Sequence, residues 1–232
     1  MTEQSKTVDS ALALLALVAH GDGATSAASL ARTLRLSRTA VARLLATLEG
    51  HGLVRRTDRG WAPGLGLLAL AAGIEPELRH LARTELERLA GRFDETAVLS
   101  VRDGDEAVAL EQVVGGAGVV QINYRTGTRH PLDVAASGRA LLDDAEPGTV
   151  ASEGELEPGV RGIAATVRGR DGRPVASIAL VAPAHRFPPD AEVAPAVAES
   201  ARRISDGLAR RPAPDHAPPT PGGRHAALPA GG

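Results

Sequence analysis

Apolar residues recur at intervals of three and four along the first part of the chain, which is the period of an amphipathic helix. The pattern predicts helices over residues 8–20, 28–34 and 37–50. In the third helix, the apolar stripe leaves polar and cationic side chains on the opposite face, and Ser37 is placed to cap the N-terminus. The tight connection between the second and third helices predicts a helix-turn-helix pair.

A two-stranded hairpin is predicted directly after this pair. Residues 53–56 form a strand, residues 57–60 are polar turn formers, and Trp61 starts the return strand. A helix-turn-helix pair followed by such a hairpin has the layout of a winged helix-turn-helix, which indicates binding to DNA. A small helical pair with a solvated basic face is the alternative, and the hairpin favours the DNA-binding interpretation.

Positive charge is concentrated in this segment. Residues 26–63 contain seven arginines against two acidic residues, whereas the whole chain has 26 Lys and Arg against 28 Asp and Glu. Short polar and cationic side chains at the start of a helix suit base edges and phosphates. The residues predicted to contact DNA lie on the two helices and the wing: Ser26, Ser37, Arg38, Thr39, Arg43, Arg55, Arg56 and Arg59.

The second half of the chain changes to the two-residue period of strands. An apolar linker helix is predicted from residue 65 and an amphipathic helix over residues 76–93. The segments that then predict strands, mostly separated by Asp-Gly or Gly-Gly turns, are residues 96–102, 105–114, 118–125, 160–169 and 173–182. Further helices are predicted at residues 136–142 and 195–210, so this half is expected to be an antiparallel sheet with helices, an α+β domain.

The expected organisation is therefore two domains and a tail. Residues 1–64 form the winged helix-turn-helix domain, residues 65–75 a linker helix, and residues 76–210 the α+β domain. Residues 211–232 are rich in Pro, Gly and Ala without periodicity and are expected to be disordered.

Composition excludes several function classes. The chain has no cysteine, so disulfides, cysteine nucleophiles and thiolate metal sites are excluded. The apolar run from Ala11 to Ala19 is too short to span a bilayer, and a cytoplasmic protein with no membrane partner is expected. The histidines show no metal-ligand spacing, and Asp103 and Asp105 are explained by a hairpin turn, so no metal, cofactor or catalytic residue is predicted.

Four segments together resemble one family of bacterial regulators. The winged helix-turn-helix, residues 78–113, residues 125–142 and residues 152–187 occur in the order found in IclR-type (isocitrate lyase regulator family) transcription factors. The resemblance implies an N-terminal DNA-binding domain joined by a linker helix to a GAF-like effector domain. It also implies a double-stranded DNA operator, a small and often carboxylate-bearing effector, and a homodimer or a dimer of dimers.

The resemblance also implies an effector pocket. The short turn that opens the helix at Ala136 offers backbone N–H groups and a hydroxyl to an anion, although an ordinary serine cap explains the same residues. The residues carried over by motif are Gly127, Ala136, Ser137, Gly138, Glu155, Gly162, Ile163, Ala164 and Ser177.

One departure from the family pattern concerns residues 143–152. A helical excursion expected there is replaced by a short acidic segment, and residues 143–157 are predicted to form a solvated loop. The shortened domain supports an alternative function, in which the protein is a ligand-binding or interaction module without ligand-controlled DNA binding.

Overall fold

The computed structural model describes residues 5–21, 23–116, 121–142 and 148–210. Within it the chain divides into two compact units between Pro76 and Glu77. The expected tail over residues 211–232 and part of the acidic segment, residues 143–147, lie outside the described residues.

The N-terminal unit is a three-helix core with a wing, as the apolar pattern predicted. Its elements are α1 (Lys6–His20), α2 (Ala27–Thr33), α3 (Arg38–Gly50), β1 (Val54–Thr57), β2 (Gly60–Pro63) and α4 (Gly66–Ala71). The helices bury one apolar stripe each, with Leu14, Leu30 and Leu45 almost fully enclosed. Strand β2 is also tied to Thr25, two residues before α2, because Thr25 and Trp61 exchange backbone hydrogen bonds of 2.8 and 2.9 Å. The wing is therefore anchored beside the helix-turn-helix pair.

The segment between residues 65 and 93 is not one continuous helix. Helix α4 ends at Ala71, and α5 (Pro76–Phe93) starts after a turn in which Glu75 has a φ of 44°. Proline disfavours helical backbone at the residue before it, so Pro76 can begin a helix but does not allow α4 to run into it. The linker helix expected over residues 65–75 is therefore shorter in the structure.

The C-terminal unit is a six-stranded antiparallel sheet with helices on both faces. After α5, its elements are β3 (Thr96–Asp103), β4 (Glu106–Val113), β5 (Arg129–Pro131), α6 (Ala135–Arg139), β6 (Thr149–Glu153), β7 (Val160–Arg168), β8 (Pro174–Pro183), a 3-10 turn (Ala184–Arg186) and α7 (Asp190–Arg210). The strand order is β5-β4-β3-β8-β7-β6. The α+β class expected from the sequence is confirmed.

The two faces of this sheet carry different cores. On one face, α5 and α7 cover a large cluster that includes Leu86, Leu180 and Ile204. The other face carries a smaller cluster of mostly small residues, such as Ala140 and Ala179, packed around α6. Because small side chains fill less space, this second face leaves room for a cavity beside α6.

Four more elements differ from the sequence-based expectations, and one of them is the short strand β5, where no strand was predicted. Of the strand predicted over residues 118–125, residues 118–120 lie outside the described residues. Residues 121–125 form no strand, because side chains satisfy their backbone: the Thr96 hydroxyl donates to the Ile122 carbonyl (2.6 Å) and Gln112 Oε1 accepts from Tyr124 N–H (2.8 Å). Residues 149–153 are the edge strand β6 rather than loop. Helix α7 begins at Asp190, not near Pro195, because burying Val193 against the sheet favours five further helical residues.

Candidate DNA interface and ligand cavity

The helix-turn-helix connection is shaped by local backbone contacts. Arg35 adopts a left-handed φ of 54°, and Leu36 N–H donates to the Ala31 carbonyl at 3.0 Å. Ser37 then caps α3, its Oγ accepting from Ala40 N–H at 3.1 Å, and Ser26 caps α2 in the same way through Ser29 N–H. A serine cap of this kind contributes about 1 kcal/mol.

The polar face of α3 is open to solvent at its N-terminal half. Arg38, Thr39 and Arg43 are exposed, while Val41 and Leu45 on the opposite face are buried. On the wing, Arg55 and Arg56 are exposed on β1, and Arg59 lies in the turn that follows. The residues predicted to contact DNA therefore all lie on the solvent-exposed surface of the N-terminal unit.

The arginines of the two units differ in their partners. Among the residues described, none of the seven arginines between residues 26 and 63 forms an ion pair. In the C-terminal unit, arginines paired with carboxylates include Arg79, Arg83, Arg88, Arg129, Arg139, Arg161, Arg186, Arg202 and Arg203. The N-terminal unit thus presents positive charge that no ion pair with another described residue neutralises.

A cavity of about 470 Å³ lies beside α6 in the C-terminal unit. Its apolar part comes from Ala136, Val160, Ala179, Val181 and neighbouring side chains. Polar groups from residues 121–128, α6, β6 and the loop that follows β6 complete the lining: Gln121, Asn123, Tyr124, Thr128, Ser137, Ser152, Glu155 and Glu157. An apolar cavity with a few polar groups is the usual form of a small-molecule site.

The backbone at the start of α6 is held by side chains from across the cavity. Ala135 N–H donates to Glu155 Oε2 at 3.1 Å, and Ala136 N–H donates to Ser152 Oγ at 2.9 Å. Ala135 has a φ of 62°, a conformation that costs a non-glycine residue roughly 1–2 kcal/mol. The bonds from Glu155 and Ser152 help to hold this turn.

Ser137, one of the lining residues, is the centre of a buried polar network at the cavity wall. Its hydroxyl lies 3.1 Å from His130 Nε2, and its carbonyl accepts from the Ser177 hydroxyl at 2.8 Å. Burial raises the pKa of Tyr124 to about 12, although a hydrogen bond with Ser137 lowers it. Tyr124 therefore keeps its phenolic proton at neutral pH and can act as a donor.

The structure brings four of the nine predicted ligand residues together at the cavity. Ala136, Ser137, Glu155 and Gly162 line it. The other five, which are not among its lining residues, are Gly127, Gly138, Ile163, Ala164 and Ser177.

Each of those five has another place in the fold. Ile163 packs in the cluster under α5 and α7, on the opposite face of the sheet, and Ala164 is buried in the cluster beneath α6. Gly127 lies in a turn with a φ of 88°, and a Cβ on Gly138 would lie 2.5 Å from the Leu132 carbonyl oxygen. Ser177 holds the backbone of α6 through its bond to Ser137.

Sequence reasoning missed most of the lining. Val160, Ala179 and Val181 were missed although they share one sheet face with the predicted Gly162, and the alternation of side chains along β7 and β8 could have indicated them. No such signal exists for Gln121, Ile122, Asn123 and Tyr124, because that irregular segment is positioned by tertiary hydrogen bonds.

Two models of known protein families match parts of this chain. The family model described as the IclR helix-turn-helix domain matches residues 7–58, and the one described as bacterial transcriptional regulator IclR C-terminal matches residues 75–147. The chain belongs to the IclR family. Relatives with an assigned function are regulators rather than enzymes, as the absence of a catalytic motif in the sequence suggested.

Three of these relatives show how far the similarity extends. The HTH-type transcriptional regulator KipR of Bacillus subtilis is 32% identical over 61% of this chain and 57% of its own length. Rv1719 of Mycobacterium tuberculosis is 36% identical over 56% of this chain and 50% of its own length. The chain thus spans about half the length of these two regulators. BhcR of Paracoccus denitrificans is 27% identical over 89% of this chain and 88% of its own length.

Solved structures share the fold of this chain. The Thermotoga maritima IclR structure matches with a TM-score of 0.72 and 22% identity, over 88% of this chain and 98% of that one. An IclR homolog from Microbacterium hydrocarbonoxydans complexed with 4-hydroxybenzoate matches with a TM-score of 0.76 and 22% identity, over 88% and 99%. Within the described residues, no helix is long and apolar enough to cross a membrane.

Proposed function

We propose that this protein is a transcriptional regulator that binds double-stranded DNA and whose operator affinity is controlled by a small-molecule effector. The observation that carries the proposal is the set of exposed arginines on α3 and the wing, which have no carboxylate partner among the described residues. Phosphate binding uses such unneutralised cations, because affinity comes largely from release of counterions. Family membership supports the same function.

The two groups of arginines are assigned different roles. Helix α3 lies in the major groove, with Ser37, Arg38, Thr39 and Arg43 nearest the base edges, and Ser26 at the start of α2 near the backbone. Arg55, Arg56 and Arg59 on the wing hold phosphates or the adjacent minor groove. A side chain that reads a base contributes about 1–3 kcal/mol of discrimination, whereas a phosphate contact contributes to all sequences.

The test is binding of the purified protein to its own upstream intergenic DNA and to a random duplex, by fluorescence anisotropy at two salt concentrations. We expect specific binding that weakens steeply with salt. Arg38→Ala should lose preference for the specific DNA, and Arg56→Ala should weaken both duplexes and flatten the salt slope by about one unit. Arg173→Ala, which removes an exposed charge from the C-terminal unit, is the matched control.

Two results would contradict these assignments. Equal loss on both duplexes for Arg38→Ala would remove its base-reading role. Absence of any DNA binding by the wild type would favour the alternative module, in which the cavity binds a ligand without controlling DNA.

We propose that the effector acts in a dimer of this chain, by changing the relative placement of the DNA-binding domains of the two copies. A ligand can shift that placement only if it binds one arrangement more tightly than the other. The resemblance favours a carboxylate effector, but none of the cavity's described lining residues is a cation that could pair with one. Unchanged operator affinity at saturating ligand would contradict the coupling.

A homodimer, or a dimer of dimers, is part of this proposal, as is a cytoplasmic location where the DNA lies. Large apolar side chains are exposed on α1 and in and around α4, which is unusual for a surface without a partner. They are Val8, Leu12, Leu65, Leu68, Leu70 and Ile74. Sedimentation of the full chain would test the dimer.

A further inference from the structure

The charged residues that line the cavity are of one sign. Glu155 and Glu157 are the charged residues among its described lining, and neither Lys, Arg nor His is present there. Two segments of the C-terminal unit lie outside the described residues between 77 and 210, namely 117–120 and 143–147, and they also contain no Lys, Arg or His in their sequence. A bound carboxylate would therefore lie near two carboxylates without a cation of its own.

The groups that could have received an anion are already engaged. Arg139 binds Glu155 through both terminal nitrogens, Nη1 to Oε2 and Nη2 to Oε1, the latter at 3.0 Å. Ala135 N–H donates to the same carboxylate, and Ala136 N–H donates to Ser152. The hydrogen bonds from Arg139, and then from Ala135, lower the pKa of Glu155 below its ordinary value of 4.5, so it is ionised at neutral pH.

We infer that Glu155 is a built-in carboxylate that occupies the anion-binding position of this cavity, so that the cavity rejects carboxylate ligands and takes small, non-anionic molecules that carry hydrogen-bond donors. The inference rests on the proposed function, in which this cavity is the effector site. It replaces the carboxylate class that the family resemblance implied.

The rest of the lining suits such a ligand. Glu157 forms no ion pair with any residue that the structure describes, so its carboxylate can accept from an ammonium or amide group. Val160, Ala179 and Val181 supply an apolar surface for the remainder of the molecule. Specificity then comes partly from repulsion between a ligand's negative charge and the two glutamates.

The experiment measures ligand affinity with molecules that differ only in charge. The full chain is titrated calorimetrically with 4-hydroxybenzylamine, 4-hydroxybenzamide and 4-hydroxybenzoate, and with butylamine, butyramide and butyrate. In at least one set, the amine or amide is expected to bind about tenfold more tightly than the matched carboxylate.

Substitution of Glu155 should reverse this order. Glu155→Ala frees the Arg139 guanidinium and Ala135 N–H, so affinity for the carboxylates should rise about tenfold. Glu155→Gln keeps an oxygen that can accept from Ala135 N–H but removes the charge. It tests the same expectation if the alanine variant fails to fold. Glu153→Ala is the control, because Glu153 pairs with Arg161 on the neighbouring strand but does not line the cavity.

Several outcomes would overturn the inference. The first is that the carboxylates bind the wild type as tightly as the amines and amides do. The second is that neither Glu155 variant changes the order of affinities. The third is that none of the six compounds binds at concentrations up to about 10 mM, where even weak ligands bind. The titration contains no DNA. A protein that binds its operator but fails this test therefore contradicts the ligand class alone, and one that passes but binds no DNA contradicts the regulator.

Discussion

Ser100 has a buried hydroxyl oxygen with no hydrogen-bond partner among the described residues. It lies on β3 opposite Ser177 of β8, whose own hydroxyl donates to the Ser137 carbonyl. Burying an unpaired hydroxyl costs free energy that the folded state does not recover. Nothing in the sequence distinguishes these two similar serines.

We therefore expect Ser100→Ala to stabilise the C-terminal unit, by about 0.5–1 kcal/mol, because the substitution removes the unpaired group and leaves little space. Ser177→Ala, the matched control, should destabilise it, since the Ser137 carbonyl loses its donor. Urea unfolding followed by circular dichroism measures both. A loss of stability in Ser100→Ala would show that the hydroxyl has a partner, such as bound water.

Glu95 and Arg186 form a largely buried pair, with Nε to Oε1 at 2.6 Å and Nη2 to Oε2 at 3.0 Å. The Glu95 side chain is only 8% exposed. Glu95→Gln weakens the two charge-assisted hydrogen bonds that the buried carboxylate accepts, so it should lower the unfolding free energy by about 2 kcal/mol. Glu87→Gln, which breaks an exposed pair with Arg83, should change it by less than about 0.5 kcal/mol. Equal effects in urea titrations would contradict the role of burial.

At the scale of elements, helix α7 carries a charge cluster on its exposed face. Hydrogen bonds from Arg202 and Arg203 lower the pKa of Glu199 from 4.5 to about 2. Because the folded-state pKa lies below the unfolded one, the stabilisation is complete above pH 4.5 and is lost as the pH falls towards 2.

Glu199→Gln should accordingly lower the melting temperature at neutral pH, and its difference from the wild type should shrink between pH 4.5 and 2. The effect is small, since the pairs are exposed. Glu192→Gln, on the same helix without an ion pair among the described residues, is the control for thermal melts followed by circular dichroism. A difference that stays constant with pH would contradict the assignment.

The elements also show where pattern reasoning succeeds. Helix α3 and strands β3, β7 and β8 carry a clear period and lie within a few residues of their predicted bounds. The segment 121–125 has a strand-like sequence, yet side chains of Thr96 and Gln112 take its backbone groups. A local pattern does not contain such a competition, because the competing residues are distant along the chain.

At the scale of the whole molecule, the two units have separate cores. Leu45 belongs to the cluster of the N-terminal unit and Leu180 to that of the C-terminal unit. The chain has a single tryptophan, Trp61, which packs against the N-terminal core. Tryptophan fluorescence therefore reports on one unit.

We expect Leu45→Ala to lower the unfolding free energy of the N-terminal unit by about 2–5 kcal/mol, because it opens a cavity in the core. The fluorescence transition should then occur at a lower urea concentration. Leu180→Ala should move the transition seen by far-ultraviolet circular dichroism and leave the fluorescence transition in place. A shift of both signals by Leu180→Ala would show that the units unfold together.

The sequence by itself determined the kind of molecule. Helical periodicity, the serine caps and the arginine concentration are local properties of the chain, and together they suffice to predict the winged helix-turn-helix. The alternation of β3, β7 and β8 likewise predicted an antiparallel α+β domain, and the order of motifs predicted the family.

Only the tertiary structure decided the cavity beside α6. It placed Ile163 on the sheet face opposite to the cavity, brought Tyr124 and Val181 to the lining, and paired Glu155 with Arg139 across sixteen residues. Each of these depends on which sheet face a side chain occupies and which distant group satisfies it. Those relationships arise only when strands pair and helices pack on them, so the amino-acid sequence alone does not reveal them.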